Sequence, residues 1–206
     1  EYKPQIKKWL SNLDFISVRE KTGVEIIENL GIKGATTVLD PVFLLEEEKW
    51  LPVCKKLDLK DEYILTYAFN GDENIKSFVF EKAKKEGLKI YSVLDCDYAD
   101  KCFYNEGPAA FLSLVKNAKF VVSNSFHATA FSLIFKKQFV VFNRVEGINS
   151  RMTDLLKIAG LENRLVLDAS QPIENINYDL VLPKLTQHIE KSKKYIDSVL
   201  KKEEIK

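Results

Sequence analysis

The sequence predicts an α/β protein with an open, mostly parallel sheet and helices on both of its faces. Short β-branched and aromatic runs, typical of buried strands, recur along the 206 residues. Amphipathic segments of helical length separate these runs. Between residues 62 and 94, a strand, a helix and a second strand form a β-α-β unit, which favours parallel pairing with a right-handed crossover.

The amino-terminal part alternates helices with two strands. Gly31 is a plausible C-cap of one helix, and Pro52 is a candidate helix break. Asp40, which precedes Pro41, is expected to be a turn residue because Pro disfavours helix at the position before it. The predicted elements are helix 2–13, strand 15–20, helix 22–32, strand 36–45 and helix 46–57. We interpret residues 1–14 as a linker helix.

The rest of the chain repeats the alternation more plainly. Gly87 ends an amphipathic helix, and DCDYADKC (95–102) is predicted to be a solvated acidic loop because its spacing is not that of metal ligands. The predicted elements are strand 62–70, helix 72–86, strand 89–94, helix 108–117, strand 119–123, helix 126–136, strand 138–143, helix 152–160, strand 164–168 and a lysine-rich carboxyl-terminal helix within 183–206.

Composition limits the class of protein. Apolar residues make up 46% of the chain, enough for the core of a single α/β domain over 1–206. The formal charge of +1 argues against nucleic-acid binding, and no apolar run approaches the roughly 18 to 20 residues of a transmembrane helix. Three cysteines without CxxC spacing fit a reducing compartment, so we expect a cytoplasmic protein without a metal site.

One polar joint separates two buried elements. SNSFH, residues 123–127, lies between strand 119–123 and helix 126–136, and ligands of such sheets bind beyond the carboxyl ends of the strands. Ser123, Asn124 and Ser125 are N-cap residue types, and the free N–H groups of the first helical turn favour an anion. Phe126 and His127 follow, and His127 could donate to the anion or exchange a proton. Alternatively, these residues only cap the helix while the imidazole packs against a phenylalanine.

Two other strand ends carry candidate ligands. Arg19 and Glu20 follow strand 15–20, and by the parallel-sheet rule they share a rim with the imidazole. Arg144, Asn149 and Arg151 follow strand 138–143. A guanidinium suits phosphate or carboxylate, so these residues predict a site for an anionic ligand. The alternatives are a surface ion pair of Arg19 with a nearby glutamate and an ordinary first-turn position for Arg151.

Several stretches resemble one family. FISVREKTGVEIIENLGI and TVLDPVFLL, then FLSLVKNAKFVVSNSFHATAFSLIFKKQFVVF and NSRMTDLLKIAGLENR, resemble the polysaccharide pyruvyl transferases. The most specific element is the S-x-S-F-H-A-x-x-F-S block at 123–132. The resemblance implies a Rossmann-like, donor-binding half of a GT-B-like fold. It also implies that the family's amino-terminal acceptor domain lies outside this chain.

The resemblance further implies an activity. Members transfer pyruvyl from phosphoenolpyruvate to two sugar hydroxyls, forming a ketal and phosphate in cell-surface polysaccharide synthesis, without a cofactor. His127 takes the place of the family histidine and Arg19 that of the family's strand-end arginine. Many members have an arginine two residues before the histidine, where this chain has Ser125. Arg144 or Arg151 is a hypothetical source of the missing charge. The implied partners are phosphoenolpyruvate and a saccharide acceptor, free or lipid-linked.

Two other functions stay open. A GT-B-type glycosyltransferase domain would use the same cleft for the diphosphate of a nucleotide sugar, and nucleoside diphosphates would then stabilise it. A non-catalytic module would bind a glycan or a protein partner there, and His127→Ala would leave its function intact.

Overall fold

The central sheet is parallel throughout, and its strands lie in the order β5-β4-β3-β6-β7-β8. The computed structural model describes residues 2–70, 72–143, 150–167 and 171–203, without the side chains of 202 and 203. The strands are β3 Tyr63–Tyr67, β4 Lys89–Ser92, β5 Lys101–Cys102, β6 Phe120–Ser123, β7 Gln138–Phe142 and β8 Leu165–Val166. The first of them, β3, lies in the middle, the next two extend one side and the last three the other. This is the Rossmann order, and it confirms the predicted sheet.

Helices cover both faces of this sheet. The helices are α1 Lys3–Leu10, α2 Lys21–Asn29, α3 Glu47–Trp50, α4 Glu73–Glu86, α5 Gly107–Asn117, α6 Phe126–Ile134, α7 Ser150–Ala159 and α8 Tyr178–Glu203. Ile64 packs with α4 on one face, whereas its neighbours Tyr63 and Leu65 pack with α5, α6, α7 and α8 on the other. The period of two along a strand therefore produces two apolar cores.

One predicted helix begins and ends where the sequence indicates, and another begins earlier than expected. The carboxylate of Asp72 accepts from Asn74 N at 2.9 Å and caps α4, and Gly87 ends that helix at φ +67°. The carboxyl-terminal helix begins at Tyr178, five residues before the expected Pro183, which lies inside it. Its start follows Asn177, whose Oδ1 accepts from Asp179 N at 3.0 Å.

The first predicted strand is wrong in extent and in place. It is β1 Ser17–Val18, and it pairs in parallel with β2 Thr36–Thr37 in a separate two-stranded sheet. The parallel-sheet rule therefore does not place Arg19 and Glu20 on the rim of the central sheet. After β2 the chain forms a 3-10 helix, Pro41–Leu44, rather than a longer strand.

Two further segments differ from expectation. The predicted helix 46–57 is α3 followed by a 3-10 turn, Leu51–Val53, so Pro52 does interrupt it. The predicted acidic loop contains β5, an edge strand anchored where Ile90 N donates to Asp100 Oδ2 at 2.8 Å. Among the described helices, none is long and apolar enough to cross a membrane.

Four tyrosines make the stability of the fold depend on pH in the alkaline range. Burial raises the pKa of Tyr63 and Tyr178, and it raises the pKa of Tyr91 and Tyr98 to about 12. The unfolded chain releases these protons near pH ~10. Their contribution to stability is therefore complete below about pH 10 and is lost as the pH rises toward about 12.

We predict that the free energy of unfolding, measured with denaturant, falls steeply above about pH 10. Ultraviolet absorbance of tyrosinate should show part of the eight tyrosines ionising only as the protein unfolds. Ionisation of all eight near pH ~10 in a protein that stays folded would contradict this coupling.

Candidate functional site

The joint between β6 and α6 lies at the centre of the sheet, beside the carboxyl end of β3. These two strands are neighbours although the chain order reverses between them, and such a point opens a crevice for ligands. Ser123 Oγ donates to Tyr67 O at 2.8 Å and accepts from Ser125 N at 2.8 Å. Ser123 thus ties the end of β3 to the entry of α6.

The side-chain amide of Asn124 links the two sides of the same crevice. Its Nδ2 donates to Phe69 O at 3.1 Å, and its Oδ1 accepts from Phe69 N at 2.9 Å. The residue is buried, at 2% exposure. In this structure the side chains of Ser123 and Asn124 therefore bind the backbone of Tyr67 and Phe69. Their role in substrate binding stays a prediction.

His127 lies in the first turn of α6 and is exposed. Ser125 occupies the N-cap position without a capping side-chain hydrogen bond. The imidazole meets the half-buried ring of Phe126 edge-on, with ring centroids 5.5 Å apart. The expected packing against a phenylalanine is therefore present, yet it leaves the imidazole accessible to a ligand.

Two guanidinium groups converge on the ring of Phe126. The Cζ atoms of Arg19 and Arg151 lie 5.9 Å and 5.4 Å from its centroid. Arg151 arrives from the first turn of α7, which follows β7, as the sequence predicts. Arg19 follows β1 of the small two-stranded sheet, so the packing of that sheet positions it and the central sheet does not. Arg144 and Asn149 lie outside the described residues.

Asp40 holds Arg19 in place, a role that the sequence analysis missed. Its carboxylate pairs with Arg19 Nη1 and also accepts from Val42 N at 3.2 Å. The Asp40 side chain is 3% exposed and that of Arg19 39%. The alternative interpretation, a surface ion pair of Arg19 with a nearby glutamate, is therefore wrong, because the partner is Asp40. Glu20 instead accepts from Ser150 Oγ at 2.5 Å and so joins the start of α7.

An aromatic pocket of about 590 Å³ opens beside His127. Trp50, Tyr67, Phe111 and Phe131 line it, and Trp50 meets Phe131 edge-on at 4.9 Å. These residues are dispersed along the chain, so no local pattern pointed to them. Within the described ranges, no group of three or more His, Cys, Asp or Glu side chains could hold a metal ion.

The two hydrogen bonds between the Asn124 amide and the Phe69 backbone, here called the Asn124 clamp, yield a stability prediction. Asn124→Ala removes these two bonds to the half-buried backbone of Phe69, and we expect the free energy of unfolding to fall by about 1–3 kcal/mol. Asn117→Ala is the control, because it removes only one bond, to Ser113 O four residues earlier in the same helix, and should cost less than about 1 kcal/mol. Equal losses in denaturant titrations would show that the clamp carries no special weight.

The ion pair between Arg19 and Asp40 yields a second stability prediction. Arg19→Ala strands a buried carboxylate and should lower the free energy of unfolding by about 1–3 kcal/mol, with solvent at the guanidinium keeping the loss low in that range. Adding Asp40→Asn, which removes the charge but keeps an oxygen for Val42 N, should recover part of it. Lys60→Ala, which breaks an exposed pair with Asp58, should change little. Strictly additive losses would contradict coupling between Arg19 and Asp40.

Comparison with solved structures agrees on the fold. A UDP-GlcNAc 2-epimerase of Methanocaldococcus jannaschii, solved with UDP-GlcNAc and UDP, aligns with a TM-score of 0.52 at 12% identity over 85% of this chain and 54% of its own. The enzyme of Neisseria meningitidis, bound to UDP-GlcNAc, aligns at 0.47 and 13% over 88% and 54%. Both are GT-B-like, and this chain spans about half their length.

Comparison of sequences gives the family. No curated protein matches the chain. The model of the family described as polysaccharide pyruvyl transferase matches residues 1–144, which include Arg19, Asp40 and the joint at His127 but not Arg151. Because this match covers well over half of the 206 residues, the chain belongs to the polysaccharide pyruvyl transferase family.

Proposed function

We propose that this chain is the donor-binding domain of an enzyme that transfers pyruvyl from phosphoenolpyruvate to two hydroxyls of a saccharide. The product is a cyclic ketal in a cell-surface polysaccharide. The observation that carries the proposal is the convergence of Arg19 and Arg151 on Phe126, directly beside the exposed His127.

The charge of the donor explains why these groups suit it. Phosphoenolpyruvate carries a phosphate and a carboxylate, and each can accept paired hydrogen bonds from a guanidinium. The first N–H groups of the nine-residue helix α6 add the partial positive charge of a helix start. Arg151 supplies the charge that many family members place where this chain has Ser125. Glu20 and the polar residues of the joint complete the proposed donor site.

His127 is the proposed catalytic acid. Its imidazolium protonates C3 of phosphoenolpyruvate, and C2 becomes electrophilic. A sugar hydroxyl then forms a bond to C2 and loses its proton. The bond from C2 to the phosphate oxygen breaks and phosphate departs with the electron pair. The second hydroxyl bonds to C2 and releases its proton, so one of the two hydroxyl protons replaces the proton given to C3 and the other leaves with phosphate.

The acceptor is proposed to bind against an amino-terminal domain outside this chain, as the half-length likeness to GT-B-like structures suggests. It is a saccharide, free or lipid-linked. No cofactor or metal enters the proposed steps. The three free cysteines accord with the proposed cytoplasmic location.

A nucleotide-sugar enzyme is the second candidate. The Methanocaldococcus jannaschii epimerase of similar fold was solved with UDP-GlcNAc and UDP, and this supports a nucleotide sugar as the alternative ligand. A binding module without catalysis is the third. The ligand that stabilises the chain distinguishes a pyruvyl transferase from a nucleotide-sugar enzyme. A binding module without catalysis would keep its function when His127 is replaced.

We predict that phosphoenolpyruvate raises the thermal midpoint of the chain selectively, whereas nucleoside diphosphates and nucleotide sugars do not. Arg151→Ala should weaken phosphoenolpyruvate binding by about tenfold or more, because it removes a charge-assisted contact. Lys85→Ala, which removes an exposed cation from the end of α4, is the matched control and should leave binding unchanged.

His127→Gln separates binding from proton transfer, because the amide hydrogen-bonds but does not exchange the proton. With the amino-terminal domain present, phosphate release should fall by about 10²–10⁴-fold while donor binding changes little. Stabilisation by nucleoside diphosphates alone would overturn the proposal, and full activity of His127→Gln would remove the imidazole from the mechanism.

A further inference from the structure

A second concave site lies behind Arg19, between the small sheet and helices α7 and α8. Its volume is about 330 Å³. Six charged or titratable side chains contribute to its walls: Arg19, Lys21, Asp154, Lys157, His188 and Lys191. It shares Arg19 with the candidate donor site, but His127 and Arg151 do not line it.

Cations outnumber carboxylates in this pocket. Lys21, Lys157 and Lys191 come from three separate elements, and none of their ammonium groups forms an ion pair with a carboxylate of the described residues. Asp154 is the acidic residue of the wall, and it accepts from the backbone N of Lys21 at 3.4 Å. Elsewhere on the surface, lysines such as Lys82 and Lys136 do have carboxylate partners.

The floor of the pocket is apolar and fixed. Val38, Leu39 and Ile158 contribute to it. The buried Ser192 joins its two sides, because its Oγ accepts from Leu39 N at 3.0 Å and donates to His188 O at 2.9 Å. An apolar concave wall strengthens the field of the cations around it, so these lysines attract an anion more strongly here than on a flat, solvated surface.

We propose that this pocket binds a phosphate or diphosphate group, at a place separate from the ligand beside His127. Lysine ammonium groups suit such a group as mobile point charges, and several converging on one concavity suit a polyanion better than a single charge. The group is either free phosphate or the diphosphate of a larger ester. This assignment rests on the charges of the pocket and does not require the chemistry proposed at His127.

Calorimetric titration with inorganic pyrophosphate tests the site. Lys157→Gln combined with Lys191→Gln should weaken binding by about tenfold or more, since two charge-assisted contacts are lost. Lys84→Gln combined with Lys85→Gln, at the end of α4, is the matched control and should leave it unchanged. Added salt should weaken the binding in the wild type.

Titrations with orthophosphate and with a glycosyl diphosphate separate the two sources. Comparable binding of orthophosphate indicates free phosphate, and much tighter binding of the ester indicates a carried diphosphate. Lys157 and Lys191 are exposed, so the variants should fold. The single variants replace the double one if its denaturation midpoint falls.

Arg151→Ala distinguishes this inference from the proposed function. Arg151→Ala should weaken the binding of phosphoenolpyruvate and leave that of pyrophosphate unchanged. The lysine variants should weaken the binding of pyrophosphate and leave that of phosphoenolpyruvate unchanged. A wild type that binds no pyrophosphate, or pyrophosphate binding that survives the lysine changes but is lost with Arg151→Ala, would overturn the inference. The first result would leave the proposal for phosphoenolpyruvate beside His127 untouched, whereas the second would assign pyrophosphate to the donor site itself.

Discussion

The candidate site depends on the amide of Asn124. β3 and β6 are neighbours in the sheet, yet Asn124 and its partner Phe69 are 55 residues apart in sequence. Beyond the last pair of the ladder, Tyr67 with Ser123, the amide continues the pairing by donating to and accepting from Phe69. Few side chains offer a donor and an acceptor in one plane, so an amide can pair with both the N–H and the C=O of one residue. The clamp thus fixes where α6 starts and where His127 stands.

The positive charge of the site comes from outside the joint itself. The small sheet brings Arg19, and α7 brings Arg151. These two elements are joined where Ser150 donates to Glu20. The central sheet thus supplies the imidazole and the helix start, whereas packing around it supplies the cations. A parallel sheet positions the residues at the ends of its own strands, and only the packing of other elements against it can add Arg19.

The parts that the sequence predicts are those with a long local pattern. The unit from β3 to β4 was predictable because its helix spans 14 residues and carries a cap at Asp72 and a stop at Gly87. In contrast, β1 and β2 are two residues long, too short for a periodic pattern to mark their ends, and the equally short β5 was predicted as part of a loop. The partner of Arg19 was unpredictable for another reason. Asp40 lies 21 residues away and already has a local role before Pro41, so nothing in the sequence distinguished it from a turn residue.

An arginine suits position 19 for reasons that a lysine cannot meet. Asp40 engages Nη1, while Cζ of the same guanidinium lies 5.9 Å from the ring centroid of Phe126. The Arg19 side chain also lines the pocket between the small sheet and helices α7 and α8. A guanidinium has five N–H donors in one plane and two faces, so a carboxylate at one edge leaves other edges for a ligand. An ammonium group is a single point charge, and pairing with a buried carboxylate would draw it away from the ring. The buried Asp40 therefore costs Arg19 little of its binding capacity and removes most of its freedom, which is the condition for recognising an anion with a preorganised cation.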